Sequence, residues 1–372
     1  MQHLTLDPQT VQPPTRDLPS TKSLPADLPP AKQVKLHPER SGGENASLYF
    51  VGTATTILEW EGIRLMTDPN FLHAGDHVHL GPGVSSMRKT NPAVDLHDLP
   101  RIDAVLLSHY HGDHFDQKVE SSLRRDLPII TTPHAKSHLT SKPGPGESFN
   151  NVFELDVWQQ MMIDVKRQRT AGDDDHTMMG TADSKTNRQP RIRVTAMPGK
   201  HVPGKILQTL NDLAKAIPPT NGWMLELGYT TSPSPSPTST TVAPPSTTTD
   251  FTCGYRIYIT GDTLPATELH DIPHRYTDQN QPIDLMLLHL GGTTVPTPAM
   301  LPLAVMVTMD AKQGIELVRL IRPDVTVPIH YDDYDIFASP LEDFVREVER
   351  EGMSGQVVFL DRGEGYRFRV RG

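Results

Sequence analysis

The chain has 372 residues, 36% of them apolar, with a formal net charge of −10 and an isoelectric point near 5.9. That length can bury a substantial core in one large or two modest domains, and an acidic balance whose longest basic clusters are short pairs such as Arg124-Arg125 argues against nucleic acid as an electrostatically captured partner. The single cysteine, Cys253, rules out an internal disulfide framework, and no apolar run has the length of a membrane helix or signal peptide, so a cytoplasmic protein without membrane association is expected.

Residues 1–45 carry eight prolines and almost no apolar periodicity, which predicts a disordered tail. A folded domain is expected over 46–372. It opens with short strand-like runs at Ser47–Val51, Thr55–Trp60 and Ile63–Thr67, the last leading straight into Asp68-Pro69. His73, His77 and His79 follow in a loop read as solvated.

A buried strand over Ala104–Ser108 then delivers the most informative stretch of the chain. Residues 108–116 read Ser-His-Tyr-His-Gly-Asp-His-Phe-Asp. Extended backbone points His109 and His111 to one side, and a turn at Gly112 can bring Asp113 and His114 to a neighbouring position, so one segment can feed two adjacent metal ions. Asp116 is placed to cap a helix running to Arg125, and Pro128–Thr132 reads as the next strand. A polar stretch near 164–190 includes Asp173-Asp174-Asp175-His176; it lacks the glycine and glutamate spacing of a calcium loop and reads as a solvated insertion.

The later half repeats the strand pattern at Arg191–Ala196, Gly222–Leu227, Tyr255–Thr260, Leu285–Leu288 and Val325–Ile329, with an amphipathic helix over Ala311–Ile321. A second insertion near 230–250 is almost entirely Ser, Thr and Pro. Cys253, just before a strand, reads as a structural thiol. His201, Asp262 and His330 each lie just beyond an apolar strand. If those strands end at one edge, they join His109, His111, Asp113 and His114 in a single constellation. Strands joined sometimes by hairpins and sometimes by helices predict an α/β (α+β) fold of two mixed sheets with helices outside.

The order His-x-His-x-Asp-His, a lone His, Gly-Asp after a strand and a final His resembles the metallo-β-lactamase superfamily over roughly residues 46–370. Asp68-Pro69-Asn70-Phe71, Leu155-Asp156-Val157-Trp158, Gly261-Asp262-Thr263, His289-Leu290-Gly291-Gly292, Val307-Thr308-Met309-Asp310-Ala311 and His330-Tyr331-Asp332-Asp333-Tyr334 are similar to the branch with ascorbate-phosphate lactonase and N-acyl-phosphatidylethanolamine phospholipase D. The resemblance implies a four-layer αββα sandwich. It also implies two divalent metal ions, zinc first, with manganese or iron as alternatives: one on His109, His111 and His201, the other on Asp113, His114 and His330, with Asp262 bridging. Asp113 would be the catalytic residue, holding metal and aiming a metal-bridging hydroxide, while Asp68 would orient a ligand histidine. His289, ending an apolar strand before two glycines, is read as a substrate contact, and some of Tyr331, Asp332, Asp333 and Tyr334 as orienting the ligand before them. The function expected is hydrolysis of a small cyclic ester or amide, a lactone or lactam. The alternatives are a phosphodiesterase like the phospholipase D relative and, from another class, a metal-bearing binding protein without catalysis. A small-molecule partner is expected; oligomeric state is not legible.

Overall fold

The computed structural model describes residues 1–81, 84–167, 188–202, 217–231, 251–295 and 305–372. In chain order the strands are β1 Gln2–Leu6, β2 Val34–Lys35, β3 Ala46–Gly52, β4 Thr55–Trp60, β5 Ile63–Thr67, β6 His77–Gly81, β7 Val84–Met87, β8 Ala104–Leu106, β9 Ile129–Thr131, β10 Val152–Glu154, β11 Gln160–Val165, β12 Arg188–Pro198, β13 Asn221–Thr231, β14 Phe251–Ile259, β15 Leu285–His289, β16 Thr294–Val295, β17 Val305–Met306, β18 Val325–Ile329 and β19 Gly365–Phe368. Helices α1 Gln117–Ser122 and α2 Pro133–Leu139 follow β8 and β9, and longer helices occupy Ala311–Ile321 and Leu341–Arg350.

Two mixed sheets form, ordered β1-β11-β12-β13-β14-β15-β18 and β10-β9-β8-β5-β4-β3-β19-β2. Strand alternation decides which side chains meet between them. Ile257, Ile259, Leu285 and Leu287 from the first sheet share a buried cluster with Leu48, Phe50, Leu65 and Leu106 from the second. Their neighbours Tyr258, Met286 and Leu288 face outward, against Ile315, Val318, Ile321 and Phe344 of the two longer helices. On the other outer face, Ile57, Met66, Val105 and Ile129 are covered by Val119 and Leu123, in and just after α1, and by Ala135 and Leu139 of α2. The result is the four-layer αββα sandwich. Because each sheet is covered on both faces, its inner strands read as continuous apolar runs, and each fully buried aliphatic side chain contributes about 1.5–3 kcal/mol relative to exposure.

Local signals set the element ends. Asp116 caps α1 by accepting hydrogen bonds from the amides of Lys118 and Val119. Asp310 and Gln313 form a reciprocal capping box on the helix Ala311–Ile321, which closes on Arg322 in the left-handed region.

Residues 1–45 correct an expectation. They are not a disordered tail: β1 pairs in parallel with β11, burying Leu4 and Leu6, and β2 pairs with β19. Seven of the eight prolines lie between β1 and β2, so their abundance masks a period-two pattern that spans only a few residues. Of the two expected insertions, residues 168–187 and 232–250 lie outside the described residues, while the flanks of each belong to β11, β12 and β13.

Strand direction places the site. β14, β15 and β18 run parallel, β12 is antiparallel to β13 and β13 to β14, and β5 runs parallel to β8. The carboxyl ends of β12, β14, β15 and β18 therefore share one edge of the first sheet, as those of β5 and β8 do in the second. The edges meet where the Asn221 amide donates to the Ser108 carbonyl at 3.1 Å.

Candidate metal centre

All of the expected ligands lie at this edge. His109, His111 and His201 offer ligand atoms within 4.8 Å of one another, as do Asp113, His114, Asp262 and His330. The two groups adjoin: the His109 ring centroid is 4.2 Å from that of His114 and 5.0 Å from that of His201. Apart from His111, which is partly exposed, these residues are buried.

Each imidazole is aimed by the hydrogen bond its other nitrogen makes. His201 donates through Nδ1 to the Val307 carbonyl and His330 through Nδ1 to the Leu290 carbonyl, both at 2.9 Å, which leaves each Nε2 lone pair facing inward. His111 is turned the other way. Its Nε2 donates to the Leu80 carbonyl at 3.1 Å, so Nδ1 faces inward, 2.7 Å from Asp113 Oδ1. His109 Nδ1 is 2.9 Å from the Ser108 hydroxyl.

Close backbone approach holds the loop in place. A Cβ on Gly112 would lie 2.3 Å from Val78 Cγ2 and 2.9 Å from the His79 carbonyl, so only glycine lets the β6–β7 hairpin sit against the motif and bring the Leu80 carbonyl to His111. Gly261, at φ +62°, turns the chain so that Asp262 enters the site, where a Cβ would meet the Asn221 carbonyl at 2.5 Å. Asp68 and His330 also adopt positive φ, 34° and 62°, unusual for residues bearing a Cβ and concentrated here.

Electrostatics divide the imidazoles into two kinds. Burial holds His201 down to about 4 and His109 well below the usual histidine range, so both are neutral lone-pair donors. Burial also opposes a charge on His114, but the carboxylates of Asp262 and Asp113 outweigh it and hold His114 well above that range. Asp113 and Asp262 are correspondingly held well below the carboxylate range despite their burial, by His111 and His114 and by His114 and His330 respectively.

The residues fit a metal. The Nε2 atoms of His109, His114, His201 and His330 and Oδ1 of Asp262 are buried without a hydrogen-bond partner, an expensive arrangement that cation coordination would satisfy.

Asp68 sits behind His114. Its Oδ1 accepts the Ser108 amide at 2.7 Å and its Oδ2 lies 3.4 Å from His114 Nδ1. Burial opposes its ionisation, but His114 and His289 hold its carboxyl below the usual range. His289, expected as a substrate contact, is buried behind the ligands, with Nδ1 3.2 Å from the Thr260 hydroxyl and Nε2 3.7 Å from Asp68 Oδ2. Asp68, His114 and His289 also form a third close group, but His114 already belongs to the Asp262 group.

Sequence reasoning missed a polar network beneath the site. Asp333 Oδ2 accepts the Thr53 amide at 2.7 Å, and the Thr53 carbonyl accepts the His330 amide at 2.7 Å. Arg362 and buried Arg88 neutralise Asp333, and Arg88 also donates to Asn70. Asn70 in turn donates to the Tyr334 hydroxyl at 2.8 Å and to the Gly112 carbonyl at 3.3 Å. Three loops that carry site residues are thereby tied together. Asp333 and Tyr334 were flagged only as a group after His330, and Arg88 carried no signal. The loop histidines take peripheral places: His73 pairs with Asp95 at 2.5 Å, while the β6 backbone, not the side chains of His77 and His79, serves the site.

Residues 64–226 match the family described as the β-lactamase superfamily domain. A metal-dependent hydrolase of Archaeoglobus fulgidus is 25% identical over 268 residues, 72% of this chain and 83% of that protein. The mitochondrial N-acyl-phosphatidylethanolamine-hydrolyzing phospholipase D of Saccharomyces cerevisiae is 30% identical over 129 residues, 34% of this chain and only 26% of its own length. Among solved structures, an isothiocyanate hydrolase from Delia radicum gut bacteria superposes with a TM-score of 0.59 at 16% identity, over 87% of this chain and 100% of that one; the likeness is one of fold.

Proposed function

We propose that the chain is a metal-dependent hydrolase with a two-metal centre, opening a small cyclic ester or amide. The observation that carries this reading is the pair of adjoining ligand groups, in which the Nε2 atoms of His109, His114, His201 and His330 and Oδ1 of Asp262 are buried without a hydrogen-bond partner. His109, His111 and His201 would hold one ion and Asp113, His114 and His330 the other, with Asp262 between them; nitrogen and carboxylate donors without thiolate suit zinc. When bound, two such ions supply a hydroxide nucleophile near neutral pH and polarise the scissile oxygen.

The chain's own residues do the rest. Asp113, beside both groups, orients the attacking oxygen and can pass a proton to a leaving nitrogen. Asp68 fixes the His114 ring through Nδ1, and the carbonyls of Leu80, Leu290 and Val307 fix the rings of His111, His330 and His201. A second reading, phosphodiester hydrolysis, is favoured by the similarity to the yeast phospholipase D. Among the described residues no helix is long and apolar enough to cross a membrane.

Hydrolysis assays on lactone and lactam panels, bis(p-nitrophenyl) phosphate and an N-acyl-phosphatidylethanolamine, before and after chelation, test the proposal. Lactone or lactam opening that chelation abolishes and zinc restores is the expected result. Phosphodiester turnover alone would favour the second reading, and hydrolysis indifferent to chelation would overturn both.

A further inference from the structure

The helix α2 carries a second arrangement of nitrogen donors outside the constellation described above. His134 and His138 are one helical turn apart, and their Nε2 atoms face each other at 3.3 Å. We propose that these two atoms chelate one divalent transition-metal ion of the copper or zinc type, forming an auxiliary surface site separate from the main centre.

The geometry suits an ion. Imidazole nitrogens bind such metals at about 2.1 Å, and at that length donors 3.3 Å apart subtend about 105° at the ion, close to the tetrahedral angle. Two histidines at this spacing on one helix face are a recurring chelate. Water would complete the coordination, because His138 is exposed and His134 half-exposed.

The pair is also held ready. Thr132 caps α2 by accepting the Ala135 amide, and Pro133 opens its first turn, which fixes the spacing of the two histidines. The His138 ring stacks on Tyr110 at 5.1 Å and within 6° of parallel. Tyr110 is pinned in turn, donating to Glu120 Oε2 and accepting from Lys142 Nζ, both at 2.6 Å. Although Tyr110 lies between His109 and His111 in the chain, alternation sends it to the helix layer, where it packs against the outer apolar cluster. Little ordering remains for metal binding to impose on His138.

Copper is the natural probe, since it heads the affinity order of divalent ions for nitrogen sites. Equilibrium dialysis of the full chain against Cu2+, with bound copper counted per chain, reads the site directly. Wild type is expected to bind one more ion per chain than His134→Ala or His138→Ala. His138→Gln, which keeps a hydrogen-bonding group toward His134 but no imidazole, is expected to lose the same ion, with circular dichroism unchanged. The main centre keeps all its residues in each variant, so its own occupancy cancels in the comparison. Equal copper in wild type and all three variants would overturn the proposal and leave the pair as a hydrogen bond alone.

Discussion

Asp113 stands where the two ligand groups meet, with Oδ1 2.7 Å from His111 Nδ1 and Oδ2 3.5 Å from His330 Nε2. On the proposed reading its replacement by alanine would remove a ligand and the group that aims the nucleophile, so Asp113→Ala should lower turnover by about 10²–10⁴-fold with unchanged circular dichroism. Activity within a few fold of wild type would remove Asp113 from the mechanism. Asp68→Asn keeps an acceptor for the Ser108 amide but loses the charge beside His114; zinc competition titrations should show affinity falling about 10–100-fold. The pH response of the metal-free protein follows from His201, which burial holds at about 4 against an ordinary value of 6.5. Between those limits the unfolded chain takes up a proton that the folded one refuses, so this contribution is complete above about pH 6.5 and fades as pH falls toward 4. In chelated protein, the stability advantage of wild type over His201→Asn should therefore shrink across that window, and thermal melts showing it growing would contradict the assignment. At this scale the His-x-His-x-Asp-His stretch was legible because its four donors fall within six residues. The carbonyls of Leu80, Leu290 and Val307 were not, since every residue has a carbonyl and no side chain marks the one that meets a ring.

Several strands were readable from their own residues: β4, β5 and β18 match their expected bounds, as does the capped helix Ala311–Ile321. Elements that depend on distant partners were not. β11 lies between two sheet neighbours that set its pairing, and β1 is a five-residue strand in a proline-rich context. The docking of β1 can be measured. Leu4 and Leu6 are 9% and 5% exposed, so Leu4→Ala and Leu6→Ala should each cost about 2–4 kcal/mol in urea unfolding. Losses below about 0.5 kcal/mol, the size of ordinary surface substitutions, would mean that β1 does not hold its place in solution.

Across the whole molecule, the sandwich serves to bring strand ends from both sheets to one edge. Asp68 and the segment 109–114 come from one sheet and His201, Asp262 and His330 from the other, and the Asn221–Ser108 hydrogen bond joins the two edges. The lone histidines and Asp262 gained meaning only from this convergence, which sequence could suggest through the order of motifs but not derive from any one of them. His289, whose strand-end position before two glycines suggests a substrate contact, is 1% exposed at the end of β15, the strand beside the edge strand β18. The central claim is that these residues hold two metal ions on which hydrolysis depends. Metal analysis of protein equilibrated with zinc and then freed of unbound ion, paired with activity before and after chelation, tests it most directly. The account predicts two zinc ions per chain that His109→Ala fails to retain in full, with hydrolysis lost on chelation and restored by zinc; a chain that binds no zinc at these residues, or hydrolyses as well without it, would contradict the account.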